Sequence, residues 1–189
     1  MVDTEAARND LRIANRFLKD FEESDIPSDT AVYRYDLDKA MEYIKQARLN
    51  DPDVTWQYKN DKKELVVMTP DILEAIVLYH LANPTINKGR DATPQELQEA
   101  IALLERSLAL RPIPMTYKTL GGGYYYTYQQ DKYLALMIEA NKKYPEDHII
   151  RSILDGLKKT QVHSKNLANL STYLQSSYTL DSLVLSSEL

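Results

Sequence analysis

The chain has 189 residues, of which 43% are apolar and 27% charged, with a net charge of -5 and no cysteine. That length suits one domain or a short repeat array, and the composition is neither that of a disordered chain nor that of a membrane protein. An acidic balance with both signs interspersed argues against nucleic acid as the main ligand, because phosphate neutralisation needs a basic surface. Without cysteine there are no disulfides, thiolate metal sites or cysteine nucleophiles, which fits a cytoplasmic chain.

Residues 4–22 place Ala7, Leu11, Ala14, Leu18 and Phe21 at the 3.6-residue spacing of one helix face. This start lacks the basic and then apolar run of a secretory signal. A polar loop over 22–30 follows, and a second helix is predicted from an N-cap at Asp36 through Ala40, Met41, Ile44 and Ala47 to Pro52. Over 54–68 the pattern changes. Val54, Trp56 and Tyr58 alternate with polar residues, and Leu65, Val66 and Val67 follow after Asn60-Asp61. This reads either as an inserted β-hairpin or as an irregular loop. Trp56, the only tryptophan, is either a plug over an exposed helix face or part of a contact surface.

Thr69-Pro70 predicts an N-cap and N1 proline opening a helix to Asn83, followed by a linker through Ala92. Thr93-Pro94-Gln95-Glu96 is a capping box, and its helix ends before Pro112. Further helices are expected over 114–128, 131–143 and 148–160. Leu167, Leu170 and Leu174 suit a last amphipathic helix ahead of a serine-rich tail over 176–189.

The chain also resembles itself. Ala40, Ile44, Ala47 and Pro52 sit at the offsets of Ala100, Leu104, Ser107 and Pro112, and more weakly of Tyr133, Met137, Ala140 and Pro145. A small residue lets a neighbouring helix approach, the apolar group four residues on fills the next layer, and proline ends the helix. Pro112 and Pro145 lie 33 residues apart, close to the tetratricopeptide period of about 34. Tyr117-x2-Leu120-Gly121-x2-Tyr124 fits the W-x2-L-G-x2-Y signature with tyrosine in the tryptophan place. On these residues the chain resembles a tetratricopeptide-repeat protein, best over 94–158, more weakly over 70–93, and as a half-repeat over 36–52.

This resemblance implies an all-α fold of helix-turn-helix repeats stacked as a short right-handed solenoid. One domain would cover 1–160, with a capping helix and tail over 161–189. It implies no catalysis and no cofactor, and a concave groove that takes a peptide or helix of another protein. The groove positions carry over to Lys118, Gly122 and Tyr125, to Leu73, Val77 and His80 before them, and to Arg151 after them. Lys118 and Arg151 either hold a carboxylate or are ordinary solvated charges. Gly122 stands where the carboxylate clamp of chaperone-binding members has asparagine, which speaks against that ligand.

Three glycines inside GGGYYYTY cost a helix roughly 2–3 kcal/mol relative to alanine. Either bare backbone at Gly122 and Gly123 makes room for a ligand flanked by Tyr125, Tyr126 and Tyr128, or the helix is distorted and the tyrosines are core. Catalytic motifs are missing: His80, His148 and His163 lack ligand spacing, and there is no G-x-S-x-G elbow. Two other classes stay open. One is self-association through the 167–174 leucines, and the other is a small acidic chaperone for secreted clients. Neither nucleic acid nor membrane insertion is expected.

Overall fold

The computed structural model describes residues 2–22 and 31–161. Two compact units divide the chain at Tyr133–Leu134.

In the first unit, helices α1 (Thr4–Glu22) and α2 (Ala31–Asn50) form an antiparallel pair. The spacing of Ala7, Leu11, Ala14, Leu18 and Phe21 does what it predicts, burying one stripe of α1 against Leu37, Ala40, Ile44 and Ala47 of α2. Each fully buried leucine on such a stripe contributes about 1.5–3 kcal/mol. Polar bonds fix the register at one end: Thr4 Oγ1 donates to Asp51 at 2.7 Å, and Asn50 Nδ2 donates to Asp10 at 2.9 Å. The second helix begins at Ala31 rather than at a cap on Asp36. Asp36 and Asp38 therefore lie inside the helix, where Asp38 sits 3.9 Å from Arg34 one turn earlier.

Strands β1 (Trp56–Lys59) and β2 (Leu65–Met68) form the hairpin, pairing Trp56 with Met68 and Tyr58 with Val66. Trp56, Tyr58, Val66 and Met68 turn toward the α1–α2 core, while Leu65 and Val67 face out. Trp56 is half-buried against this core and stacks on Tyr58 with ring centroids 4.8 Å apart. At the turn Lys63 takes φ 62° and donates its amide to the Asn60 carbonyl at 2.8 Å.

Helix α3 (Pro70–Lys88) packs between α2 and helix α4 (Pro94–Leu110), and α5 (Pro114–Tyr126) packs on α4. Both threonine caps form as the sequence predicts. Thr69 Oγ1 accepts from the Ile72 amide at 3.2 Å, and the Thr93–Glu96 box closes with bonds of 3.2 and 2.7 Å. The expected stop at Asn83 does not occur, because α3 runs through Pro84 to Lys88 and ends in a 3₁₀ turn at Gly89–Asp91. An internal proline costs a helix about 3 kcal/mol. Burial of Ile86, at 4% exposure, returns about 1.5–3 kcal/mol, and the Gly89 amide caps the Ile86 carbonyl.

The second unit holds the rest of α6 (Gln130–Lys143) and a helix α7 over 148–161. Asp147 caps α7, its Oδ1 accepting from Ile149 and Ile150 at 3.0 and 3.1 Å. Leu136, Met137, Ala140, Ile150 and Leu154 are its buried residues. The leucines at 167–174 and the tail over 176–189 lie outside the described residues.

Candidate functional site

The groove positions do not all reach a surface. Leu73 and Val77 are fully buried, because the α1–α2 pair covers that face of α3. Neither offers a partner anything to touch, which corrects the expectation for Val77. His80 is half-buried among Phe21 and Tyr79, at centroid distances of 4.9 and 5.3 Å, with Nε2 3.3 Å from Glu22 Oε1. Lys118 is half-buried on α5. Arg151 belongs to the second unit, where it is exposed and its guanidinium donates to the Pro145 carbonyl.

The glycine run has a packing explanation. A Cβ at Gly123 would lie 2.8 Å from Ile101 Cγ1, and one at Gly122 would lie 3.2 Å from Ile86 Cγ2. Bare backbone at these positions is filled by α4 and by the last turn of α3. It leaves no room there for a ligand.

The tyrosines that follow are brought together. Tyr125 is 48% exposed and meets Tyr126 edge-on at 5.4 Å. Tyr126 in turn lies over Gly89, where an added Cβ would meet its ring at 2.9 Å. Gly89 also has φ +58°, a conformation that disfavours any side chain. This contact sets Arg90 beside the end of α5. Tyr125, Tyr126, Arg90, Tyr128 and Gln130 line one concavity of about 220 Å³.

The end of α5 is a Schellman turn. Gln129 N–H donates to the Tyr124 carbonyl at 2.9 Å, and Tyr128 N–H donates to that of Tyr125 at 3.2 Å. Tyr128 takes the left-handed position, φ 59°, which such turns normally give to glycine, and it remains 81% exposed. Tyr124 beneath is held by a 2.6 Å bond to Glu105; burial first, and then that bond, push its phenol well above the usual tyrosine range. Burial and neighbouring Tyr125 likewise raise the Tyr133 phenol. Both are therefore protonated at neutral pH. Arg90 is the one formally charged residue in the lining, and its guanidinium has no hydrogen bond or ion pair among the described residues.

A second polar cluster lies elsewhere. Glu74 is 1% exposed and accepts from both Arg48 and Arg106, while Arg48 also donates to Asp71 at 2.6 Å. Burial of Arg48 opposes its charge, but the bonds to Glu74 and Asp71 outweigh that and raise its pKa. Ser107 Oγ donates to the Ala75 carbonyl at 2.7 Å alongside. Two guanidiniums face two carboxylates, and the cluster ties α2, α3 and α4 together.

Sequence reading found the tyrosines of the candidate site but missed Arg90 and Gln130, since nothing local in a presumed linker marks Arg90 as their neighbour. Among the described residues no cluster of histidine, aspartate or glutamate could hold a metal ion, and no helix is long and apolar enough to cross a membrane. No family model matches the chain, and no curated protein matches it.

Proposed function

We propose that the chain is a non-catalytic binding module of tetratricopeptide type, a scaffold that takes a segment of another protein. The tyrosine concavity at the end of α5 carries this reading. Tyrosine and arginine are the residues over-represented at binding hot spots, because they offer large contact area with few rotors. Here the tyrosines stand at a capped helix end, with Tyr126 packed over Gly89, so the backbone that carries them needs little ordering on binding.

Two observations support the repeat reading. The equivalent positions Ala40, Ile44, Ala47 and Ala100, Leu104, Ser107 are buried alike, at 2% exposure or less. From α1 to α5, each sequential pair of helices touches, and so do α1 with α3 and α3 with α5, the order a solenoid uses. In this reading the half-buried Lys118 and the tyrosines flank the entrance to the working face, and the hairpin is a structural insertion.

An affinity capture from the native host tests the proposal, with wild type beside Tyr125→Ala and Lys118→Glu variants of unchanged circular dichroism. A partner held by wild type and lost by Tyr125→Ala supports the α5 end as the working surface. A partner held equally by all three moves the site to the hairpin or another face.

A further inference from the structure

We infer that the Arg90–tyrosine concavity binds an acidic side chain, Asp or Glu, presented by an extended protein segment with proline or aliphatic residues on either side. The inference rests on the binding-module reading and names the partner's chemistry.

Three observations lead to it. The first is charge. Arg90 is exposed and has no partner among the described residues, although the chain as a whole carries -5, whereas the half-buried Arg48 is matched by carboxylates. A guanidinium bordered by phenol rings is set to receive a carboxylate through a fork of two N–H bonds. A dianionic phosphate would call for more than one cation, and the lining holds one.

The second observation is size. At about 220 Å³ the concavity is smaller than the roughly 300–1,000 Å³ of small-molecule and cofactor sites. It suits one or two side chains of a partner. The ring faces of Tyr125 and Tyr128 then offer flat apolar surface to residues flanking the acid, and a proline-containing extended segment meets such rings with little entropy to lose.

The third is conformational. Tyr128 keeps a large exposed ring at a left-handed position where glycine would fit without strain. Strain maintained at an exposed aromatic beside an unmatched cation points to a role for that ring beyond folding.

The test is titration of the full chain with an acetylated, amidated Pro-Pro-Glu-Leu-Pro peptide and its Gln counterpart, followed by ¹H–¹⁵N NMR. The Glu peptide should shift the Arg90 Nε–H and the Gln130 amide, and should bind at least about tenfold more tightly than the Gln peptide, the scale of one charge-assisted pair. Arg90→Gln should erase that preference while leaving the thermal midpoint unchanged. Equal binding of both peptides, or shifts that bypass Arg90, overturns the inference. So does tighter binding of a phosphoserine version, which would make the ligand a phosphate, or of a Gln peptide with a free carboxyl end, which would make it a chain terminus. A natural partner that is lost with Tyr125→Ala but kept by Arg90→Gln overturns this inference while leaving the binding-module reading in place.

Discussion

At the scale of single residues, two side chains stand where their chemistry is unfavourable unless something offsets it. Tyr128 is the simpler. A left-handed non-glycine residue costs roughly 1–2 kcal/mol, and its ring, 81% exposed, recovers little by packing. Tyr128→Gly relieves the strain but gives the unfolded chain more freedom, which takes back about 0.5–1 kcal/mol. A net gain of about 0.5–1 kcal/mol is expected, read as a Tm rise of roughly 1–4 °C. A lower Tm would mean that the ring packs more than its exposure indicates. Glu74 is the opposite case: a buried carboxylate held by two arginines. Removing one partner of a buried pair costs about 3–5 kcal/mol when the other charge stays trapped. Here Arg106 is 62% exposed and can turn to water, so Glu74→Ala should cost less, about 2–3 kcal/mol. Arg106→Ala should cost under about 1 kcal/mol, since Arg48 keeps Glu74 paired. Denaturant midpoints at unchanged m report both values, and a reversed order would place Arg106 at the centre of the cluster instead.

At the scale of elements, helix ends and helix crossings are where local signals succeed or fail. The Thr93–Glu96 box is a local device and was legible as such. Backbone and side-chain bonds from Thr93 hold the Glu96 carboxyl below its ordinary value. A depressed acid contributes its stability above the unfolded-state pKa and loses it as pH falls through the folded one. Wild type should therefore exceed Glu96→Ala at pH 7, and the gap should close in acid below the ordinary glutamate range; a gap independent of pH would deny the carboxylate this role. The glycine run gives a second expectation. Alanine gains about 1 kcal/mol of helix propensity at either site. At Gly123 its methyl would meet Ile101 at 2.8 Å, and overpacking of that kind costs about 1–3 kcal/mol, so Gly123→Ala should destabilise. Gly122→Ala, at 3.2 Å from Ile86, should fall within about 0.5 kcal/mol of neutral. Chemical denaturation of the two single variants separates them. The same crossing explains what was not legible. Pro84 reads as a stop by local rules, and Ile86 packing against α5, with the Gly89 amide capping its carbonyl, offsets that cost. Arg90 is 35 positions from Tyr125, and they become neighbours through the Gly89–Tyr126 contact, which no spacing encodes. Leu73 and Val77 share the helical period of the exposed positions they were aligned with, so periodicity alone left open which face α1 and α2 would cover.

At the scale of the whole molecule, the question is whether the exposed aromatic and aliphatic groups meet another protein or another copy of this chain. Besides Tyr125 and Tyr128, the outward hairpin face exposes Leu65 and Val67 on β2, an edge strand of the two-stranded sheet and so of the sort that pairs between copies unless charge prevents it. Charge is available for that purpose. Lys59 stands opposite Leu65 in the hairpin register, Lys62, Lys63 and Glu64 crowd the turn, and the chain carries -5 overall. At pH 7.5 and low salt, net repulsion should keep the light-scattering mass at 21.8 kDa across concentration. Near the isoelectric point of about 5.3 that repulsion vanishes, and the apparent mass should climb with concentration. Salt discriminates between the two origins of any association. If only charge keeps copies apart, salt at pH 7.5 should raise the mass through screening. A mass already above the monomer at pH 7.5, concentration-dependent and indifferent to salt, would instead mean a specific apolar interface between copies. The aromatic surface at the end of α5 would then have to be tested for self-assembly before any outside partner is sought.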